Sequence, residues 1–251
     1  MKKITVAALL VLVSAGAARA AELVVFCPGA VQSVVREFAR QYETKSGNTV
    51  RFEFGTAGDI AKRVAAGAQG DVVIGTAGGL ATLAKSGAVA GSSIHALGKM
   101  GVGVAVRAGA PKPDIHDVAS FKASMLAAKS IMYADPAKGG QSGIHVAKVF
   151  AQLGIDQAVA PKLQLRDRGP DGLKEVAQGS IEIGLGQISE ILANKHVVLV
   201  GPLPDELQDL VAFSAAIHTS ANNKQAAEEL IELLTAPAAQ ERFKERGFVI
   251  G

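Results

Sequence analysis

The sequence predicts an α/β fold in which short buried strands alternate with helices in two successive halves. The first observation is the fully apolar run Leu23–Cys27, which ends at Pro28-Gly29 as a buried strand ends in a turn. The second is the helical spacing of apolar residues between Val31 and Lys45. The third is the recurrence of this strand–turn–helix order, which predicts mostly parallel strands with helices on their faces.

The rest of the first half continues this order. Val50–Phe54 alternates polar and apolar residues as a strand does. The turn Gly55–Asp59 follows, and its Asp favours the start of a helix. Asp71–Gly75 is predicted to be a second buried strand and Leu80–Lys85 a further helix.

The second half has its own start. Gly101–Val106 is predicted to be a strand, and the proline- and glycine-rich stretch Arg107–Pro113 breaks regular structure where the chain enters a new lobe. Val211–Ile217 is a candidate strand for the return to the first lobe. We therefore predict one lobe from residues 21–104 and 211–251 and a second from residues 105–210. Within the second lobe the sequence predicts strands at 130–134, 162–165, 181–185 and 197–200 and helices at about 143–153 and 173–178. Terminal helices are predicted at 226–234 and 238–246.

Residues 1–20 have the three parts of a secretory signal peptide. Lys2 and Lys3 precede the apolar run Ile4–Val13, and Ala18-Arg19-Ala20 is a small-x-small cleavage site. The alternative, a membrane anchor, needs an apolar run of about 20 residues, and this one is shorter. We expect cleavage after Ala20 and export of the remaining chain.

Charge and composition exclude several classes of function. Lys2, Lys3 and Arg19 account for the formal net charge of +3, so the chain after cleavage is neutral and gives no argument for nucleic acid binding. Its single cysteine allows no intramolecular disulfide. No phosphate-binding or dinucleotide-binding loop is present, and the five histidines have no metal-ligand spacing, so we predict neither cofactor nor metal.

Four glycine-containing turns, each between a predicted strand and a predicted helix, carry the functional signal. They lie at 28–30, 55–58, 139–143 and 169–172. Ligands of open α/β sheets bind beyond the carboxyl ends of the strands, and a helix start offers unpaired N–H groups to an oxyanion. Two turns from each half, facing across a cleft, would enclose a small anion. The alternative is that these glycines only make tight turns.

The stretch Phe54–Gly75 resembles the molybdate-binding receptors of ABC importers, which carry a similar small-residue turn, helix and glycine–aspartate lead into a strand. Asp135-Pro136 before a helix start, and Phe243 with Gly247-Phe248 near the end, are also similar to that family. The resemblance covers nearly all of the chain after residue 20. It implies a type 2 periplasmic binding protein fold, with two lobes of mixed sheets flanked by helices and a ligand cleft between them.

The chain departs from that family where ligand binding is concerned. The two hydroxyl residues that the family uses on the first two turns correspond to Ala30 and Ala57, and its cleft tyrosine corresponds to Gln187. Each missing charge-assisted hydrogen bond would cost on the order of 1–3 kcal/mol. Arg166 and Arg168 near the fourth turn suit carboxylates, or alternatively point to solvent. An organic acid is therefore expected rather than molybdate.

The resemblance implies a periplasmic, monomeric binding protein that delivers a small anion to an ABC permease. The predicted ligand-binding residues are Gly29, Ala30, Thr56, Ala57, Gln141, Ser142, Arg168, Pro170 and Gln187.

An enzyme is the alternative, since an exported aconitate isomerase is similar to the same receptor family. Its reaction moves a proton across an allylic system and needs an acid–base group beside the substrate. The candidates are His145, Cys27 and Glu190. Each also has an ordinary structural explanation: His145 and Glu190 as surface residues, and Cys27 as a small buried apolar residue.

Overall fold

A computed structural model describes residues 20–251 and contains two five-stranded mixed sheets. The first sheet has the order β2-β1-β3-β10-β4. In it, β1 is parallel to β2 and β3, whereas β10 is antiparallel to β3 and β4. The bounds are β1 Glu22–Pro28, β2 Thr49–Gly55, β3 Val72–Thr76, β4 His95–Met100 and β10 Val211–Ile217.

The second sheet has the order β7-β6-β8-β5-β9. Here β6 is parallel to β7 and β8, and β5 is antiparallel to β8 and β9. The two sheets therefore share one plan, in which a parallel core is completed by antiparallel strands. The bounds are β5 Val102–Arg107, β6 Ile131–Ala134, β7 Leu163–Arg166, β8 Ile183–Gln187 and β9 Val197–Pro202.

Helices cover both faces of each sheet, so the central strands are mostly apolar and buried. In the first lobe, α1, α9 and α10 pack on one face and α2 and α3 on the other. In the second lobe, α4 and α5 pack on one face and α7 and α8 on the other. The bounds are α1 Gly29–Ser46, α2 Ala57–Ala65, α3 Ala77–Lys85, α4 Val118–Ala127, α5 Gln141–Gln152, α6 Asp156–Val159, α7 Gly169–Gln178, α8 Ile188–Leu192, α9 Lys224–Thr235 and α10 Pro237–Glu245.

The chain passes between the sheets twice. The first passage is at Gly101, between β4 and β5, and the second lies between Pro202 and Val211. The second coincides with the predicted return at residue 211, whereas β5 begins three residues before the predicted division at 104/105. The lobe bounds predicted from sequence remain a proposal.

The predicted fold class is confirmed by this arrangement of sheets and helices. The signal peptide predicted over residues 1–20 lies, apart from its last residue, outside the described residues. Within residues 20–251, no helix combines the length and the apolar character that a membrane crossing needs.

Candidate functional site

A small cavity lies where the two lobes face each other. It contains about 380 Å³ of empty space, a volume that includes open solvent. All nine residues predicted to bind ligand line this cavity. The structure therefore brings the predicted set together, and its role in binding remains a prediction. The other lining residues are Pro28, Gly55, Ala134, Gly140, Gly169, Glu190 and Phe213.

Four helices begin at the cavity, two from each lobe. These are α1 and α2 from the first lobe and α5 and α7 from the second. The Thr56 side chain caps α2 by accepting the N–H of Asp59 at 3.0 Å, whereas α1, α5 and α7 have no side-chain cap. Uncapped helix starts leave backbone N–H groups and partial positive charge for an anion.

The side chains at these helix starts supply few hydrogen-bond donors. Ala30 and Ala57 are buried and carry no hydroxyl group. Ser142 and Gln187 are the buried polar side chains of the wall, at 3% and 4% exposure. The Gln187 Oε1 atom has no hydrogen-bond partner among the described residues, so a buried acceptor is left for a ligand or water.

Glu190, on the short helix α8, places a carboxyl group between two of the helix starts. A Cβ added at Gly29 would stand 2.1 Å from Glu190 Oε1, and one added at Gly169 would stand 2.2 Å from Oε2. The two glycines therefore make the space that the carboxyl group occupies, at the first residues of α1 and α7.

The pKa of the Glu190 carboxyl group is shifted toward neutral pH. The residue retains partial exposure, but its carboxyl group is closely surrounded by protein. Burial raises the pKa of this group to about 7, and Asp171 acts in the same direction, while Arg168 opposes the shift. A carboxyl group with such a pKa can exchange a proton at physiological pH.

Arg168 is the cation of the cavity wall. Its Nη2 donates to Gln32 Oε1 at 3.1 Å across the cleft, and its Nε is buried without a partner. Arg166, two residues earlier, forms an ion pair with Glu175 instead. Arg166 is therefore neutralised within its own lobe, whereas Arg168 has no acidic ion-pair partner among the described residues.

The other two acid–base candidates lie outside this cavity. Cys27 is completely buried in the core of the first lobe, and burial raises the pKa of its thiol. His145 Nε2 lies 2.7 Å from the carbonyl oxygen of Leu207, to which it donates, since a carbonyl only accepts. Of the three candidates, the structure brings only Glu190 to the cavity wall.

The lobes touch each other on both sides of the cavity, so the cleft is closed. On one side, the Gly58 N–H donates to Gly139 O at 3.2 Å and the Thr56 hydroxyl donates to Lys138 O. On the other, the buried Ser189 hydroxyl donates to Ala30 O at 2.6 Å.

The sequence matches a family model described as bacterial extracellular solute-binding protein over residues 23–249. The chain belongs to this family. An aconitate isomerase from Pseudomonas sp. is 31% identical over 233 residues, covering 90% of this chain and 86% of the relative. The molybdate-binding protein ModA of Escherichia coli K12 is 25% identical over 231 residues, covering 91% and 89%.

Solved structures show the same fold. The periplasmic molybdate-binding protein of Azotobacter vinelandii superposes with a TM-score of 0.75 at 18% identity, covering 91% of this solute-binding protein and 99% of that chain. The predicted resemblance to molybdate-binding receptors is therefore confirmed.

One feature of this solute-binding protein was missed by the sequence reasoning, namely the basic surface next to the cavity. Gln32, Arg36 and Arg40 follow one another at intervals of four along α1 and line a groove that adjoins Glu190. Their spacing places them on one helix face, which is the signal that could have identified them.

Proposed function

We propose that this protein is an exported isomerase that moves the double bond of an unsaturated tricarboxylic acid, interconverting trans- and cis-aconitate. The observation that carries the proposal is the Glu190 carboxyl group in the wall of a cavity at which four helices begin. A carboxylate repels an anionic ligand and therefore works against simple binding. A proton-transfer reaction needs such a group beside the substrate.

The similarity to the Pseudomonas aconitate isomerase supports this reading. It exceeds the similarity to the Escherichia coli molybdate-binding protein, at 31% against 25% identity over similar lengths. The absence of side-chain hydroxyls at Ala30 and Ala57 argues in the same direction, because a small inorganic oxyanion would lose donors there.

The proposed reaction is a single proton shift. The Glu190 carboxylate removes a proton from the methylene carbon of the substrate, and the electron pair delocalises over the allylic system and its attached carboxylate. The same proton, or one from solvent, is then delivered to the other end of the allylic system, so the double bond moves without oxidation or reduction. The uncapped starts of α1, α5 and α7, together with Arg168, hold the carboxylates and stabilise the developing charge.

A second candidate is a transport receptor that delivers an organic anion to an ABC importer. The solute-binding family and the four helix starts favour it. In that case Glu190 would bind in its protonated form and donate a hydrogen bond to a ligand carboxylate. Both candidates place the protein outside the cytoplasm, in the periplasm, after removal of the predicted signal peptide.

Proton NMR of the purified protein with trans-aconitate in deuterated water separates the two. The isomerase produces cis-aconitate, which carries deuterium in proportion to the exchange of the transferred proton with solvent, and Glu190→Gln lowers kcat by roughly 10²–10⁴-fold. Glu206→Gln, at an exposed glutamate that makes no side-chain hydrogen bond among the described residues, is the matched control and retains activity. Tight binding of aconitate with no turnover by the wild type would overturn the isomerase and leave the receptor.

A further inference from the structure

A second, larger groove adjoins the cavity on the side of α1 and α8. It contains about 1,440 Å³ of empty space, part of it open solvent. Gly29, Arg168, Pro170 and Glu190 line both spaces, so the groove and the cavity are neighbours that share a wall. A ligand that reaches from the helix starts into the groove would pass these residues.

The groove carries an excess of positive charge. Asp171 and Glu190 are its acidic residues, and Asp171 is already paired with Lys174 at 3.0 Å. The remaining cations form no ion pair among residues 20–251. They are Arg36, Arg40, Arg168 and Lys195.

Two of these cations, one from each lobe, lie beside the same aromatic ring. The guanidinium of Arg36 lies 5.6 Å from the centre of the Phe54 ring, and that of Arg168 lies 5.9 Å from the same centre. Both guanidiniums therefore lie beside the same ring without a carboxylate ion-pair partner in the described part of the chain, and two such like charges in one groove favour a bound anion. The buried Ser33 Oγ and Arg168 Nε atoms at this groove also lack hydrogen-bond partners among the described residues.

We propose that this groove is a second anion subsite, in which Arg36 and Arg168 together bind a carboxylate of the ligand that extends beyond the cavity. Closure of the cleft assembles the subsite, because α1 carries Arg36 and the residue before α7 is Arg168. Its presence selects polycarboxylates over acids with one carboxylate. The choice of a tricarboxylate rests on the proposed function, whereas the subsite itself is tested by binding alone.

The test is calorimetric titration with tricarballylate, a saturated tricarboxylate that cannot undergo an allylic shift. Arg36→Gln is expected to raise Kd about tenfold, the effect of losing one charge-assisted hydrogen bond. Arg40→Gln removes the same charge one turn farther along α1 and is expected to raise Kd less than about threefold, because water screens distant charges. Arg107→Gln, at the end of β5 and outside the groove, is expected to leave Kd unchanged.

Each other outcome overturns the subsite. If Arg36→Gln and Arg40→Gln raised Kd equally, the groove would attract anions through its overall charge and would contain no defined subsite. An Arg36→Gln protein that binds like Arg107→Gln, or a wild type that does not bind tricarballylate, also contradicts it. The titration measures binding and not turnover, so a protein that binds tricarballylate but lacks isomerase activity would overturn only the proposed function. Unfolding temperatures of the unliganded variants verify that each one is folded.

Discussion

At the scale of single residues, Glu190 is held where ionisation of its carboxyl group is disfavoured. Its pKa rises from the ordinary value of 4.5 to about 7 through burial. Between these two values the folded protein binds more protons at this site than the unfolded chain does. Stability contributed by this group is therefore fully present below about pH 4.5 and is lost as pH rises through about 7. The full shift corresponds to roughly 3 kcal/mol.

Glu190→Gln is expected to remove this pH dependence. The free energy of unfolding of the variant, relative to the wild type, increases by about 2 kcal/mol between pH 5 and pH 8.5, because only the wild type must hold a buried charge at the higher pH. Urea unfolding at the two pH values measures it. Glu206→Gln provides the baseline, and a Glu190→Gln difference that stays constant with pH would contradict the assignment.

The sequence predicted where the candidate ligand-binding residues lie better than it predicted the partners of their side chains. Seven of the nine residues could be named because glycine turns at strand ends also begin helices, and this pattern is local. Arg168 was named from its charge, and Gln187 from the resemblance to the molybdate-binding receptors. The side-chain partners of Arg166 and Arg168 could not be predicted from a local pattern. Arg166 is paired with Glu175 nine residues later, while Arg168 reaches Gln32 in the other lobe. Such contacts depend on how the lobes meet, which the local pattern does not contain.

At the scale of secondary-structure elements, strongly apolar segments were predicted and weakly patterned ones were not. The buried strand β1 and the amphipathic helix α1 carry clear periodicity. By contrast, the edge strand β4 exposes three of its six residues, and α4 buries only Phe121 and Met125. Helix α8 is five residues long and gives no periodic signal, although it carries Glu190. Segments with so weak a pattern depend on their neighbours for stability, so sequence alone misses them.

The contact between α5 and β6 depends on a glycine. A Cβ at Gly143 would lie 1.6 Å from the carbonyl oxygen of Ala134, and the backbones of both elements would have to move. Gly143→Ala is expected to lower the free energy of unfolding by about 1–3 kcal/mol or more. Gly78→Ala, in the first turn of α3, has nothing within 4 Å of the new methyl group and serves as the control. Chemical denaturation measures both, and equal stabilities would contradict this packing.

At the scale of the whole molecule, each lobe has its own hydrophobic clusters, and the lobes meet along α8, whose Ile188 packs against the core of the first lobe. The cavity, Glu190 and the groove all depend on that meeting, since each is lined from both lobes. Hinge closure is the ordinary motion of such two-lobed proteins. Ligand affinity must then depend on how readily the closed form is populated.

Gly58 offers a way to change closure without touching the ligand or either core. A Cβ there would lie 2.7 Å from Gly139 Cα, in the other lobe, while its helix α2 accepts alanine readily. Gly58→Ala is expected to hold the lobes apart and to raise Kd for tricarballylate roughly tenfold or more. It leaves the unliganded stability within about 1 kcal/mol of wild type, because only the interlobe contact is lost. Small-angle X-ray scattering at saturating ligand reports the radius of gyration, with Gly78→Ala as control. A Gly58→Ala protein that contracts and binds like the wild type would show that these contacts do not govern closure.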